Sequence, residues 1–380
     1  MRPLADYCRR HESWLLETIE ALVTIESPTG DKAAVDRCGL ELSRRLRDLG
    51  ADVRPLRAST AGDHLRAEFG RGARQILLLG HFDTVWPVGQ LAEMPLTRDG
   101  DRLYGPGILD MKAGIALGML ATRALYALAP PSDARIVMLW TTDEETGSRT
   151  SRALLETEAR NSEAVLVLEP ALPGGRLKTS RKGCGQYEIL VHGEAAHAGV
   201  DPGKGISAIR ELARQILVVE ALQDLARGIS VNVGVIAGGT RPNVVASEAR
   251  AVVDVRAPSM TDADHVDAAM RALTPQIRGA RLAVSGGFER PPMERTEGVA
   301  RLYALAQAVG SELGQTIHEG ATGGGSDGNF CAALGVPTLD GLGALGDGAH
   351  ALSEHVSISA LAPRAALLAA LLSRLTMSSH

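Results

Sequence analysis

The sequence is poor in aromatic residues and has no excess of positive charge. Phe, Trp and Tyr make up 3% of its 380 residues, so the core must be built mainly from Ala, Val, Leu and Ile. The formal net charge of −5 provides no basic surface of the kind that binds nucleic acid. An acidic average does not exclude an anionic substrate, because a bound metal ion supplies local positive charge.

The four cysteines are too few and too scattered to form a disulfide framework. They show no CxxC spacing, which favours a reducing compartment. The N-terminal segment lacks the apolar stretch of a signal peptide, and we expect no apolar run of membrane-spanning length. The sequence therefore predicts a soluble cytoplasmic protein that does not contact a membrane. Its length allows two domains.

Short apolar runs alternate with helical stretches from residue 1 to 182 and again from 295 to 380. The runs cover residues 76–79, 136–140 and 164–168, and helices are predicted over 113–128 and 299–313. Strands this uniformly apolar are usually buried on both faces, as in a parallel sheet covered by helices. This part of the chain is predicted to be an α/β domain with a mixed, largely parallel sheet.

Residues 183–294 show a different pattern. Strands are predicted over 186–192, 229–236, 248–256 and 281–285, with helices over 206–222 and from 261 to about 273. The order β-α-β-β-α-β is that of a ferredoxin-like split unit. We therefore predict an α+β domain inserted into the larger one.

Three of the apolar strands lead directly into residues that can bind metal. They are followed by His81 with Asp83, by Glu144 with Glu145, and by Glu169. Because ligands bind beyond the carboxyl ends of strands in open α/β sheets, three such endings suggest converging ligands. Asp83 could orient His81, and one of the adjacent acids could bind metal while the other takes a proton from water. The simpler interpretation of each is a strand-end or loop residue in contact with solvent, which is less expected for Glu169 because it follows a fully apolar strand.

Other motifs have both a functional and a simpler interpretation. Asp110 begins a helix after a glycine-rich turn, where it could cap that helix or bridge two metal ions. Either His350 or His355 could be a ligand. In the inserted domain, His197, Asn243 and Arg256 offer hydrogen-bond donors suited to a carboxylate, although each is more often a surface feature.

Taken in order, these motifs resemble those of the di-zinc exopeptidases and deacylases, a family that includes glutamate carboxypeptidase, aminoacylase, acetylornithine deacetylase and succinyl-diaminopimelate desuccinylase. The resemblance covers nearly the whole chain. It rests on residues 80–85, 105–114, 142–147, 197–199 and 348–350 with 354–356. It implies a zinc exopeptidase type of catalytic domain and an inserted domain that acts as a lid and in dimerisation.

The resemblance also implies a role for each motif residue. His81, Asp110 and Glu169 would bind one zinc ion, and Asp110, Glu145 and His350 would bind the other, with cobalt or manganese as possible substitutes. Glu144 would be the general base and Asp83 the group that orients His81. His197 would stabilise the oxyanion in the site of a neighbouring subunit of a homodimer. Arg256 and Asn243 would hold the substrate carboxylate, with Arg290 as a further candidate.

The implied reaction is hydrolysis of an amide or peptide bond beside a free carboxylate, most similar to glutamate carboxypeptidase. N-acyl-amino-acid deacylation is the alternative, and Glu169 rather than aspartate favours the carboxypeptidase and aminoacylase side. Asn329 stands where desuccinylases of the family tend to have arginine. A binding protein without activity would be expected to lack Glu144 or several ligands, and a serine hydrolase would be expected to have a GxSxG motif.

Overall fold

A computed structural model describes residues 1–377, which form two compact units. Unit 1 comprises Met1–Thr179, Arg295–Ala321 and the chain from Ser326 onward, and unit 2 comprises Ser180–Glu294 with Thr322–Gly325. Residues 322–325, predicted as part of the larger domain, lie in unit 2. These residues belong to unit 2 because Arg181 Nη1 donates to the carbonyls of Gly324 and Gly325, at 3.1 and 3.0 Å.

Unit 1 contains most of the helices and a six-stranded sheet. Its helices are α1 (Arg2–Arg10), α2 (Glu12–Val23), α3 (Lys32–Asp48), α4 (Gln90–Glu93), α5 (Ala113–Leu128), α6 (Arg152–Arg160), α9 (Glu297–Glu312), α10 (Gly328–Ala333) and α11 (Ile358–Thr376). The sheet strands are β1 (Asp52–Leu56), β2 (His64–Phe69), β3 (Arg74–His81), β6 (Ala134–Thr141), β7 (Ala164–Val167) and β14 (Thr338–Leu339). The predicted helix over 113–128 is confirmed by α5.

The strand order of this sheet is β1-β2-β6-β3-β7-β14. The pairs β6–β3, β3–β7 and β7–β14 are parallel, and β1–β2 and β2–β6 are antiparallel. Every residue of β7 is buried, as are seven of the eight in β3 and in β6. The sheet is therefore mixed and largely parallel, as the uniformly apolar runs predict.

Two smaller sheets contain further strands. β4 (Thr97–Asp99), β5 (Arg102–Tyr104), β15 (Gly346–Asp347) and β16 (His355–Ser357) form a sheet in the order β15-β16-β5-β4. β8 (Leu177–Arg181) pairs with β13 (Glu319–Thr322). Pairing of β16 with β5 brings the segment after His350 next to the turn that carries Asp110.

Unit 2 contains β9 (Gly183–His192), α7 (Ala208–Glu220), β10 (Ser230–Gly238), β11 (Glu248–Ala257), α8 (Met260–Arg271) and β12 (Arg281–Arg290). Its four strands are antiparallel in the order β10-β11-β9-β12. Buried residues alternate along β9 and β11, because one face of the sheet packs on the two helices. The order of elements confirms the predicted ferredoxin-like arrangement.

One helix departs from the sequence analysis. By length and composition α11 is long and apolar enough to cross a membrane, whereas we expected no run of that length. The interruptions at Pro363, Arg364 and Arg374 concealed it in the sequence. Within unit 1, 67% of its most apolar 18-residue window is buried, and it packs against α5, α1 and α9. Buried Arg364 donates to the carbonyls of Gly343 and Gly175, which provide hydrogen-bond acceptors for its guanidinium inside the core.

Candidate active site

Three adjacent strands carry imidazole and carboxylate groups to one edge of the six-stranded sheet. β6, β3 and β7 run parallel, so their carboxyl ends lie on the same side. His81 is the last residue of β3, Glu169 follows β7 by two residues, and Glu144 and Glu145 lie in the short turn after β6. The backbone thus delivers one imidazole and three carboxylates to the same edge.

Asp110 lies between two histidines. Its Oδ1 is 3.2 Å from His81 Nε2, and its Oδ2 is 3.4 Å from His350 Nε2. His81 Nε2 is also 3.7 Å from Glu169 Oε1, and His350 Nε2 is 3.4 Å from Glu145 Oε1. The two oxygens of one carboxylate therefore face two separate clusters, which is the arrangement expected of a ligand shared by two ions.

The five side chains form two groups of potential metal ligands, and in each group the ligand atoms lie within 4.8 Å of one another. The first group is His81, Asp110 and Glu169, and the second is Asp110, Glu145 and His350. Three carboxylates this close repel one another unless positive charge lies between them. Nitrogen and oxygen donors suit first-row divalent cations. The residues therefore fit a two-metal centre.

The acids around the two histidines favour their protonated form. Burial disfavours a charged His81, but its hydrogen bonds to Asp110 and Asp83 outweigh that effect and raise its pKa well above 6.5. Hydrogen bonds to Asp110 and Glu145 raise the pKa of His350 to about 10. Burial acts to raise the pKa of Asp110, yet hydrogen bonds to His350 and His81 lower it. A cation that binds here must therefore displace protons from both imidazoles.

Asp83 holds the ring of His81 in two ways. His81 Nδ1 is 3.0 Å from the main-chain carbonyl oxygen of Asp83 and 3.4 Å from its Oδ1. The carbonyl is thus the nearer acceptor, whereas only the carboxylate was predicted to orient His81. The other carboxylate oxygen accepts from Thr29 Oγ1 at 2.8 Å and from the N–H of Glu145 at 3.4 Å. With Nδ1 engaged in this way, Nε2 is the nitrogen that faces Asp110 and Glu169.

The model of Peptidase family M20/M25/M40 matches residues 77–374, a span that includes all five potential ligands. The chain belongs to this family. It is 33% identical over 369 residues to carboxypeptidase G2 of Pseudomonas sp. (strain RS-16), an alignment that covers 94% of this chain and 88% of the relative. It is 28% identical over 382 residues to succinyl-diaminopimelate desuccinylase of Stenotrophomonas maltophilia (strain R551-3), covering 96% and 99%.

The fold is also that of the M20 peptidases. The crystal structure of aminopeptidase PepT from Bacillus cereus ATCC 10987 superposes with a TM-score of 0.78 at 22% identity, and the match covers 96% of this chain and 99% of that one. Membership of the M20 family makes the protein a hydrolase of the metallopeptidase class, and the similarity to carboxypeptidase G2 supports carboxypeptidase-like activity.

Within this M20 chain, Glu144 lies beside the ligands without being one of them. Among the described residues 1–377, neither ligand group includes it. Its charge nevertheless contributes to the raised pKa of His81, so it lies close to that ligand. Glu145, the next residue, contributes to the second group. The turn thus places one acid in a ligand group and the adjacent acid outside both groups.

Two buried carboxylates, neither of them predicted as a site residue, form hydrogen bonds with residues in and beside this turn. Asp143 Oδ2 accepts from the N–H and the hydroxyl of Thr150, at 2.6 and 2.8 Å. Asp327 accepts from Thr141 Oγ1 at 2.8 Å and from Ser148 Oγ. The only sequence signals were the third acid in 143–145 and the tight turn over 323–328. The partners of Asp327 lie 186 and 179 residues away in the chain, so no local pattern reveals them.

In unit 2, the predicted oxyanion residue His197 is exposed and has a defined tautomer. Its Nδ1 accepts the N–H groups of Gly199 and Val200, both at 3.1 Å. A neutral ring must then carry its proton on Nε2, which can donate a hydrogen bond. Asn243 is also exposed, and its main-chain carbonyl accepts the N–H of Ala198 at 3.0 Å. The two predicted residues are therefore neighbours within unit 2.

The two arginines predicted to bind a carboxylate flank one cysteine in the sheet of unit 2. Arg256 on β11 and Arg290 on β12 both pair with Cys184 of β9. Arg256 donates Nε and Nη2 to Asp254, each at 2.8 Å, and Nη1 to Cys184 Sγ at 2.6 Å. Arg290 is buried, whereas Arg256 is half-exposed. Arg256 is thus the more accessible of the two, with its guanidinium held in place by Asp254.

Proposed function

We propose that the protein hydrolyses an amide or peptide bond next to a free C-terminal carboxylate and releases a C-terminal amino acid such as glutamate. The observation that carries this proposal is the pair of ligand groups sharing Asp110, with Glu144 beside them and outside both. The similarity to carboxypeptidase G2 favours a C-terminal substrate over other M20 substrates. We further propose zinc at both positions, with cobalt or manganese able to replace it.

Each predicted catalytic group has one task in this proposal. The two cations would supply Lewis-acid activation of the scissile carbonyl and of the attacking water. Glu144 takes a proton from that water and delivers it to the leaving amine nitrogen. His197 donates a hydrogen bond from Nε2 to the oxyanion. Arg256, with help from Asn243 and Arg290, binds the substrate carboxylate through charge-assisted hydrogen bonds.

A second candidate is deacylation of an N-acyl amino acid, which the similarity to succinyl-diaminopimelate desuccinylase favours. Asn329 argues against the desuccinylase form of this reaction. Its side chain is buried, and its Oδ1 accepts the N–H of Ser326 at 2.9 Å. Asn329 thus forms a hydrogen bond within its own loop, at the position where desuccinylases of the family tend to have an arginine.

A substrate panel with zinc-loaded protein tests the proposal. It compares folyl- and dipeptidyl-glutamate with N-acetyl amino acids, and each substrate with its C-terminal amide. We expect the glutamate conjugates to have the highest kcat/KM and their amides to lose roughly one to two orders of magnitude, the value of a charge-assisted contact. Preference for N-acetyl amino acids would establish the deacylase instead, and equal cleavage of the amides would exclude a carboxylate requirement.

We also propose a cytoplasmic homodimer formed through unit 2. β10 is an edge strand, and its Val235 and Ile236 are 50% and 60% exposed. Leu217 on α7 is 68% exposed. An apolar strand edge and helix face of this kind support pairing with a second copy. The four cysteines are all free thiols, which supports a reducing compartment.

The trans role of His197 is tested by mixing two inactive variants. His197→Ala and Glu144→Ala subunits are unfolded and refolded together. In a mixed dimer, the subunit that lacks His197 retains Glu144 and receives His197 from its partner, so one site is intact. Random pairing should restore about a quarter of wild-type activity. A mixture that stays inactive despite demonstrated heterodimers would show that His197 acts within its own subunit.

A further inference from the structure

Glu354 is a buried carboxylate that belongs to neither ligand group, yet it has four N–H partners. Oε1 accepts from the N–H groups of Leu109, at 2.8 Å, and Asp110, at 3.1 Å. Oε2 accepts from the N–H of Gly107 at 2.9 Å and from the indole Nε1 of Trp86 at 2.7 Å. Its side chain is fully enclosed, with 0% exposure. This carboxylate is therefore occupied entirely by protein donors and is not open to a ligand.

These four contacts join three segments that carry metal ligands. Trp86 lies five residues after His81, and Leu109 and Asp110 belong to the turn whose carboxylate is shared between the groups. Glu354 itself follows His350 by four residues. The two ends of this last segment are also packed closely, since a Cβ on Gly348 would come within 2.8–2.9 Å of the backbone of Ser353 and Glu354. One side chain thus links the three segments that carry His81, Asp110 and His350.

Such a tie has a clear physical purpose at this site. Asp110, Glu145 and Glu169 are pushed apart by their like charges whenever no cation lies between them. Asp110 lies in an irregular turn with non-helical backbone angles, so no regular secondary structure fixes it. His350 has a φ of 62°, in the left-handed region that costs a non-glycine residue of the order of 1–3 kcal/mol unless its surroundings impose it. Both ligands therefore need an external support.

We propose that Glu354 is the positioning residue of the metal centre: its hydrogen bonds hold the turn of Asp110, the loop of Trp86 and the segment of His350 in their metal-binding arrangement before any cation is bound. This inference rests on the proposed function to the extent that the two ligand groups bind metal. It assigns Glu354 no contact with substrate, water or metal. Its effect reaches the reaction only through the geometry of the ligands.

The substitution Glu354→Gln tests this role with little change in volume. Each oxygen of Glu354 accepts two N–H groups, so the amide nitrogen of glutamine meets two donors whichever way it is turned. A matched control is Glu211→Gln in unit 2. Glu211 is also fully buried and accepts the N–H groups of Gln276 and Ile277 at 2.9 and 2.7 Å. Both variants damage a buried carboxylate anchor, but only one anchor supports metal ligands.

The first measurement is metal affinity, from competition between each protein and a chelator for Zn²⁺ and Co²⁺. Because loss of a group that supports metal ligands typically weakens affinity by about 10- to 100-fold, we expect that loss in Glu354→Gln and wild-type affinity in Glu211→Gln. Equal affinities of Glu354→Gln and the wild type would overturn the inference. A wild-type protein that binds neither metal would instead overturn the proposed function.

The second measurement is made on the metal-free proteins and needs no activity. The chain has three tryptophans, so the fluorescence of Trp86 is isolated by subtracting the signal of the same protein with Trp86→Phe. Its quenching by acrylamide is then measured. In the wild type we expect the same quenching with and without Zn²⁺, because Glu354 already holds the indole. In Glu354→Gln we expect stronger quenching without metal and partial recovery with it. Identical quenching in the two metal-free proteins would overturn the inference.

If Glu354→Gln does not fold, Trp86→Phe itself carries the test. It removes one of the four donors and leaves the other three in place. We expect its Zn²⁺ affinity to fall by about two- to ten-fold, the effect of one ordinary hydrogen bond. An unchanged affinity in Trp86→Phe, with Glu354→Gln unobtainable, would overturn the proposed tie between the loops.

Discussion

Unit 1 and unit 2 both carry residues predicted to function, but these residues are prepared differently. In unit 1, Asp110 contacts His81 and His350 at 3.2 and 3.4 Å, and burial and hydrogen bonds shift the pKa values of all three. In unit 2, His197 is exposed, and Arg256 already donates three hydrogen bonds to neighbours. The contrast indicates that the residues of unit 1 form joined groups of potential ligands, whereas those of unit 2 do not form such a group in the described chain.

The largest effect expected on either side of this comparison is that of Asp110→Ala. Its two oxygens face the two ligand groups, so one substitution should remove both ions and reduce turnover to background. Metal content measured by elemental analysis, together with kcat/KM, checks this. Asp347→Ala is the control. Asp347 is exposed, and its Oδ1 accepts the N–H of the adjacent Gly348. Retention of two ions in Asp110→Ala would mean that the groups are independent.

Glu144→Gln should separate chemistry from metal binding within unit 1. Because Glu144 lies outside both groups, the variant should retain two ions and lose roughly 10²- to 10⁴-fold in kcat, the range expected for general acid–base catalysis. Glu145→Gln, one residue away, should instead lose affinity for one ion. If Glu144→Gln loses an ion and Glu145→Gln does not, Glu144 is the metal ligand and Glu145 is the general base.

How far the sequence could predict this site depends on the distance between partners in the chain. The potential ligands follow apolar strands or lie in short motifs, so local patterns pointed to His81, to the pair Glu144 and Glu145, and to Glu169, and the family resemblance chose Glu145 from the pair. Glu354 and Asp327 could not be found in this way. Glu354 reaches partners 244 to 268 residues earlier, and three of them are backbone N–H groups, which any residue supplies.

The limits of helices, strands and units also show that local features are easier to predict than contacts between distant residues. The helix over 113–128 was predicted at its observed limits, and the core strands differ by a few residues at their ends. Segment 322–325 was assigned to the wrong unit because its hydrogen bonds to Arg181 join residues more than 140 positions apart. Patterns of burial are therefore readable from sequence, whereas individual long-range polar contacts are not.

A smaller effect is expected at Arg256 in unit 2. Arg256→Ala should lower kcat/KM by roughly 10- to 100-fold for substrates with a free α-carboxylate, because one charge-assisted contact is lost. Arg250→Ala is the matched control on the same strand. Arg250 is exposed, and its Nη1 is 3.6 Å from Glu188 Oε1. Equal losses by Arg256→Ala on free and amidated substrates would contradict a carboxylate-binding role.

The smallest effect is expected at Glu211. Its substitution should change the free energy of unfolding without changing the metal content. Burial acts to raise the pKa of Glu211, but hydrogen bonds from Gln215, Gln276 and Ile277 outweigh it and leave the pKa below 4.5. A carboxyl group with a lowered pKa in the folded protein stabilises the fold above its unfolded pKa, and this contribution is lost as the pH falls through the folded pKa.

Glu211→Gln should therefore lower the free energy of unfolding by about 1–3 kcal/mol at pH 7, because at least one buried donor loses its acceptor. The difference from the wild type should shrink as the pH falls below the ordinary value of 4.5. Urea unfolding at several pH values measures this, and hydrogen exchange at Gln276 and Ile277 localises it. Because no metal ligand depends on this anchor, metal content should stay at the wild-type level. A loss of metal as large as that of Glu354→Gln would mean that any buried carboxylate anchor affects the centre through global stability, and the contrast between the two units would fail.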